Sequence, residues 1–376
     1  MIDFIREHFW GVVFACAFMI AWLVQIFYML FYFLKASHNA AEKKNSRKPV
    51  SVIISARNEE RNLMEHVPAI MEQDYPDFEL VIVNDSSWDD TEAILKALQV
   101  RYPRIHVVNL DEEKQNMQGK KFALTLGIKA SKHDTILLTD ADCMPQSSNW
   151  ISEMVSRMED KKQVVLGFSP YRKYAGWLNK VIRYDTLMIG VHYIGFARAG
   201  KPYMGVGRNL AYDKELFFRY GGFKSHYSIA SGDDDLFVNQ VATAHNTVAV
   251  AHPDAQTISE PKKTWKEWFA QKRRHFTTIP FYKGSHKRML ALWPFSFLIM
   301  LAGFGGAMVF QTWMLLVSGM LFLRYIVQIA ILHKVSTRLG QSKDIVWLAL
   351  PIEIHLHALN LGLYFTNLMR KPQKWN

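Results

Sequence analysis

Thr135-Ile-Leu-Leu-Thr-Asp-Ala-Asp-Cys143 decides how the chain is read. An apolar and β-branched run leads straight into two carboxylates, Asp140 and Asp142, and a turn follows at Met144-Pro145. A short apolar run bounded by turn residues suits a strand buried on both faces. Ligands of open α/β sheets gather at the carboxyl ends of such strands. Two aspartates one residue apart at that end offer hard oxygen ligands to Mg²⁺ or Mn²⁺, and the ion in turn can hold a diphosphate. An acidic solvated loop has the same local sequence, so the flanking chain has to decide.

From Pro49 to about Glu260 the pattern is that of a soluble α/β domain. Strand-like runs fall at Val50–Ser55, Glu79–Val83, Ile105–Asn109, Thr135–Thr139 and Val164–Phe168. Helix-like stretches at Arg61–Glu72, Thr91–Leu98 and Lys121–Lys129 separate the first four, which predicts a mostly parallel sheet covered by helices. The first strand ends in Ser55-Ala56-Arg57-Asn58-Glu59-Glu60. That loop has no glycine, which excludes a phosphate-binding P-loop and a dinucleotide fingerprint. The second strand ends at Asn84-Asp85. Asp85 is placed to accept from base or ribose donors, whereas Ser87, Asp89 and Asp90 read as turn and cap residues. Gly119-Lys120-Lys121 is a glycine turn with a lysine entering a helix, within reach of a phosphate or ribose.

On either side of this domain the chain becomes apolar. Residues 9–34 exceed the roughly 20 needed to cross a bilayer, and the leader with Asp3, Arg6, Glu7 and His8 is not that of a cleaved signal. Lys43, Lys44, Arg47 and Lys48 follow, which puts the domain in the cytoplasm by the positive-inside rule. Leu290–Phe310, Thr312–Leu332 and Ile345–Phe365 are each long enough to span, and the aromatic-basic stretch Thr264–His275 suits an interfacial helix. Four spans leave the basic tail Arg370, Lys371, Lys374 on the wrong side, so either the fourth stretch does not cross or the tail is an exception. The expected organisation is an anchor and basic linker (1–48), a catalytic domain (49–262), an interface segment (263–288) and C-terminal helices (289–376). Lys+Arg number 45 against 34 Asp+Glu, a net charge of +11. The basic residues cluster beside apolar spans, which favours a lipid surface over nucleic acid. Cys16 and Cys143 form neither a zinc pattern nor a disulfide framework. Arg324 and Glu353 lie inside the third and fourth apolar stretches. Ions at such depth pair within the bundle, so an Arg324–Glu353 contact is predicted, with His355 and His357 near it.

Taken in order, the motifs of residues 49–290 resemble the family 2 glycosyltransferases, whose nucleotide-sugar domain has the GT-A fold, a Rossmann-like mixed sheet. Ala56-Arg57-Asn58-Glu59-Glu60, Asn84-Asp85-Ser86-Ser87, Gly119-Lys120 and Asp140-Ala141-Asp142 match the family's successive nucleotide-contacting segments. The resemblance implies that Asp85 contacts the base, Asp140 the ribose or metal, and that Asp142 is the direct metal ligand. Gly205-Val-Gly207-Arg-Asn209 looks like the loop beside donor sugar and acceptor. Ser231-Gly232-Asp233-Asp234-Asp235-Leu236 stands where the family carries its catalytic base. Counting back from Leu236 puts the base on Asp233, with Asp234 the other candidate. Gln271-Lys-Arg-Arg274-His275 resembles the family's Gln-x-x-Arg-Trp segment, which lines the acceptor site and holds the diphosphate; His275 replaces the tryptophan.

The implied activity is metal-dependent, inverting transfer of a hexose from a nucleotide-diphosphate donor, a UDP-sugar, to a membrane lipid at the cytoplasmic face. The implied setting is a multi-pass protein of a bacterial inner membrane. A short processive polysaccharide synthase is the enzymatic alternative, against which His275 weighs. A non-catalytic nucleotide-sugar-binding membrane protein is the alternative of another class.

Overall fold

The structure, a computed structural model, describes residues 9–38, 48–110, 119–158, 161–229 and 231–369. The N-terminal leader, Lys43, Lys44, Arg47 and the tail from Arg370 lie outside the described residues. The chain opens with α1 (Phe9–Phe31) and a 3₁₀ turn at Phe33–Ser37. Then come β1 (Val50–Ala56), α2 (Glu60–Met71), β2 (Phe78–Asp85), α3 (Thr91–Arg101), β3 (Ile105–Leu110), α4 (Lys120–Ala130) and β4 (Thr135–Leu138). The second half of the domain holds β5 (Cys143–Pro145), α5 (Trp150–Val155), β6 (Val164–Leu166), α6 (Trp177–Arg198), β7 (Leu210–Asp213), α7 (Lys214–Arg219), α8 (Asp235–Val241), β8 (Thr247–Ala249) and β9 (Thr257–Ser259). Last are α9 (Trp265–Phe276), α10 (Gly284–Val309), α11 (Met314–Arg338) and α12 (Ala349–Met369).

Seven strands form one mostly parallel sheet in the order β3-β2-β1-β4-β7-β6-β8, with β7 antiparallel to both neighbours. Alternation along the buried strands sorts the side chains into two layers. Val52 and Ile54 of β1 join Leu63, Val67, Leu95 and Trp150 on one face. Ile53, Val81 and Leu138 join Leu124 and Ile128 of α4 on the other. That second layer continues through α6 into Tyr28 and Phe33 near the end of α1, and into Ile331 and Val335 of α11. One apolar core therefore fastens the sheet to the long helices. Contact is close enough that a Cβ on Gly195 would meet the carbonyl oxygen of Tyr32 at 2.5 Å, so only glycine fits there.

Among the described residues three helical stretches are long and apolar enough to cross a membrane: Phe9–Ser37, Gly284–Val309 and Met314–Arg338. The fourth apolar stretch of the sequence is the helix α12, which is not one of these. Glu353, His355, His357, Asn360 and Asn367 interrupt it. The Arg324–Glu353 pair is formed, in two parallel hydrogen bonds of 3.0 Å, with Arg324 wholly buried. Gln25 of α1 and Gln328 of α11 each accept one further proton from the terminal guanidinium nitrogens, Nε is buried without a partner, and Gln328 reaches Tyr184 of α6. His357 stacks on Phe297 one turn beyond Glu353, while His355 stacks on Trp265. The aromatic face of α9 thus packs on protein, with Trp268 buried, rather than standing free for lipid.

Candidate active site

The strand order reverses between β1 and β4, the place where open sheets form a ligand crevice at their carboxyl ends. The loops leaving β1, β2 and β4 meet there. Asn58 takes a left-handed conformation (φ 56°), and its amide donates to Ser87 Oγ at 2.9 Å. Asn58 Oδ1 accepts from the Trp88 amide, and the Arg57 guanidinium lies over the Trp88 ring. Asp89 accepts from the Thr91 and Glu60 amides, so it caps helix starts. Asp85 closes β2 as a buried carboxylate, one residue beyond Asn84, which pairs with Ala56 at the end of β1. Burial and the charges of Asp142 and Asp140 push the Glu59 carboxyl up, against a hydrogen bond from Asn62.

Lys120 is the centre of the cleft. Gly119 (φ 97°) turns the chain so that α4 starts with this lysine over β4. Its ammonium donates to Asp140 Oδ1 at 2.7 Å and lies 3.2 Å from Asp233 Oδ2. One cation thus joins the Asp-x-Asp loop to the segment entering α8. Burial alone would lift the Asp233 carboxyl; Lys120 overrides it and holds the group below the ordinary carboxylate range. Lys121, the next residue, points the other way. It donates to the carbonyls of His226, Ile229 and Ser231, and so supports the segment that carries Asp233.

The three adjacent aspartates have three different environments. Asp234 accepts from the Gly207 amide at 2.7 Å, and burial followed by the charges of Asp233 and Asp235 pushes it up to about 7. A Cβ on Gly207 would lie 3.5 Å from Asp233 Oδ2 and Asp234, an ordinary contact, so it is the Gly207 amide that ties the loop to this segment. Asp235 is tied to Thr278 and Tyr282, an anchor between α8 and the segment after α9.

Asp140, Asp142 and Cys143 each bring one ligand atom within 4.8 Å of the others, the described group best suited to a metal ion. Two carboxylates fit Mg²⁺ or Mn²⁺. Cys143 is buried, its thiol pushed well up by burial and by both aspartates, and it bonds Ser259. Burial and the negative Asp140 likewise raise Asp142. His66 of α2 holds this loop from behind, through Nδ1 and the Ala141 carbonyl at 2.9 Å.

The sequence left Arg208 without a role. It lies over the Tyr171 ring, donates to Ser259, and its charge acts on Asp142. Gln271 of α9 donates to the Tyr171 hydroxyl at 3.1 Å, which brings the acceptor segment to the same wall. Arg274 is half-buried and has no side-chain partner among the described residues, whereas its neighbour Lys272 is spent on Asp185. Arg208 sat within the Gly205–Ala211 run, but nothing in the run marks it off from Asn209.

Asn209 corrects an expectation. It is fully buried and accepts from Trp150 Nε1 while donating to the carbonyls of Phe168 and Ala255. Its amide is consumed in joining β7 to the layer beneath, so it does not line a sugar. Gly205 is also a packing residue, since a Cβ there would press on Leu166 and Leu210.

The sequence model of Glycosyl transferase family 2 matches residues 51–221. The probable glycosyltransferase YdaM of Bacillus subtilis is 27% identical over 60% of this chain and 54% of its own length. The glycosyltransferase AglE of Haloferax volcanii is 26% identical over 54% of this chain and 64% of its own. The matched part is therefore about half to two-thirds of these relatives. A poly-beta-1,6-N-acetyl-D-glucosamine synthase of Staphylococcus epidermidis is 27% identical over 33% of the chain. In fold, the mannosyltransferase PcManGT of Pyrobaculum calidifontis, solved with GDP-Man and Mn²⁺, superposes with a TM-score of 0.60. It is 18% identical and covers 88% of this chain and 98% of that one. The GT-A sheet and the matched motifs agree: residues 51–221 form a glycosyl transferase family 2 domain.

Proposed function

We propose that the chain transfers a hexose, with inversion, from a nucleoside diphosphate sugar to the hydroxyl or phosphate of a membrane lipid at the cytoplasmic face. The observation that carries the reading is the single ammonium of Lys120 between Asp140 and Asp233. It brings the donor-holding loop and the base within one side chain of each other.

Asp85 and Glu59 receive the nucleoside, and Lys120 and Arg208 balance the charge beside the diphosphate. Asp140 and Asp142 are the residues to hold Mg²⁺ or Mn²⁺, whose charge when bound steadies the diphosphate leaving group. Asp233 is kept ionised by Lys120 and accepts the proton of the acceptor group. The acceptor oxygen bonds to the anomeric carbon as the bond to the diphosphate oxygen breaks, and that electron pair leaves with the nucleoside diphosphate. Arg274, without a partner in α9, is the cation left to meet the charge that develops there.

The shared core of sheet and long helices supports a lipid acceptor, since it ties the catalytic domain to helices long and apolar enough to cross a membrane. Three crossings starting outside leave the catalytic domain, α12 and the basic tail together in the cytoplasm. This removes the conflict that a fourth crossing creates for the tail. Ile354, Leu361, Tyr364 and Phe365 of α12 are exposed, as an in-plane helix would have them. The similarity to polysaccharide synthases supports a processive polymerase as the second reading.

The test is to incubate the membrane-embedded protein with Mn²⁺ and labelled UDP-sugars and GDP-mannose. Label extracted into organic solvent is expected. Label retained in a high-mass aqueous polymer supports the synthase instead, and nucleotide binding without any transfer supports a non-catalytic protein.

A further inference from the structure

A groove of about 660 Å³, sharing no lining residue with the motifs of the cleft, lies between the ends of α1 and α11 and the loop before β9. His252, His333, Lys334, Arg338 and Lys343 line it, with the hydroxyl residues Ser37 and Thr337. No carboxylate lines it. Asp254 lies 3.8 Å from His252, and Asp344 is committed to Arg183 and Lys173. Among the described residues Lys334, Arg338 and Lys343 have no acidic partner, and Arg338 Nε is buried with no hydrogen bond. Three cations held together without counter-charge repel one another, and an anion bound among them relieves that cost.

The position of the groove says which anion. Large exposed apolar side chains run down α1 as far as Phe31 and down α11 as far as Ile326. Ser37 and His333 come six and seven residues later, roughly 10 Å along a helix. If the apolar stripes mark the hydrocarbon, the groove opens at the outer edge of the cytoplasmic headgroup zone, roughly 5–8 Å deep, where the long Lys and Arg side chains reach back to lipid phosphates. Its volume suits one headgroup.

We infer that this groove is a binding site for the phosphate headgroup of an anionic membrane lipid, distinct from the glycosyl-transfer cleft. It rests on α1 and α11 being spans, not on the identity of donor or acceptor. Lys334, Arg338 and Lys343 meet the phosphate, and Ser37 and Thr337 supply neutral donors. An anionic lipid held there clamps α1, α11 and the catalytic domain, through His252, at one height on the membrane.

The test uses the full chain purified in detergent, with native mass spectrometry to count retained phosphatidylglycerol over a concentration series. The triple variant Lys334→Gln/Arg338→Gln/Lys343→Gln is compared with Lys129→Gln/Lys132→Gln/Lys224→Gln, which removes equal charge from exposed positions of the catalytic domain. At about fivefold per basic residue, the first is expected to weaken binding on the order of 100-fold and the second to leave it unchanged. Lys334→Arg/Lys343→Arg is expected to bind as the parent does. Equal losses in both triple variants, or none in either, overturn the inference. So does inorganic phosphate binding as tightly as the lipid, which makes the groove a free-phosphate site. Flotation with phosphatidylcholine vesicles tests the spans separately: protein that floats yet shows no specific lipid loss refutes the groove and not the spans.

Discussion

Replacing Arg324 by leucine removes the donor of four hydrogen bonds in a site from which water is excluded. Glu353 then stays as a buried, uncompensated carboxylate, which costs about 3–5 kcal/mol. Glu353→Leu strands the guanidinium and costs a similar amount. In Arg324→Leu/Glu353→Leu both charges are gone, and a leucine pair in such a place is near neutral. The double variant does not recover fully, because Gln25 Oε1 and Gln328 Oε1 each lose their donor. Each loss costs about 1–3 kcal/mol, although Gln25 keeps its bonds to Trp293 and Ser296. Taken at mid-range, the singles sum to about 8 kcal/mol against roughly 4 for the double, a coupling of about 4 kcal/mol. Apparent melting temperatures of all four proteins, taken in one nanodisc composition, read this out. Both singles should melt well below the parent, and the double should melt no lower than either single. Strictly additive losses refute the pairing as a source of stability.

Three further outcomes follow from the cleft. Asp234 sits at about 7 in the fold against about 3.9 in an unfolded chain. The fold thus holds a proton that the unfolded chain has released, and stability falls as pH rises from about 4 to about 7. Asp234→Asn should flatten the melting temperature across that window, and an unchanged slope rules the assignment out. Asn209→Ala strands Trp150 Nε1 and two carbonyls, so it should lose about 2–4 kcal/mol of stability with donor KM unchanged below its melting point. A changed KM at unchanged stability would return Asn209 to the sugar. Mn²⁺ should raise nucleoside diphosphate affinity in the parent and leave it unchanged in Asp142→Asn, measured by calorimetry; a gain that persists in the variant moves the metal elsewhere.

What the sequence made legible follows from range. β1, β2 and β4 are mostly apolar runs buried on both faces and bounded by turn residues, and they were placed to within about two residues because such burial leaves that mark. The half-exposed edge strand β3 was placed by its shorter Ile105–Val108 stretch. Asp140, Asp142 and Lys120 were legible as strand-end and helix-start residues. The Arg324–Glu353 pair was legible because charge in an apolar stretch has few places to go. β8 and β9 are three residues each, too short for a period to show. α6 buries Val181, Tyr184, Val191 and Tyr193 around much of its circumference, so it lacks the polar stripe by which a helix is recognised. Its Arg183 and Asp185 pair with Asp344 and Lys272, partners far along the chain. Asn209 and Lys121 were misjudged or missed for the same reason: a side chain that supports the site and one that faces it have the same local sequence.

The most direct test of the central claim is the configuration of the bond formed, together with the rate at which it forms. The labelled product of an α-linked donor is isolated and its anomeric proton coupling measured, with Asp233→Asn run beside the parent enzyme. Single displacement with Asp233 as base predicts a β-linked product and a rate lowered roughly 10²–10⁴-fold in the variant. An α-linked product, or a variant that works at the parent rate, contradicts it.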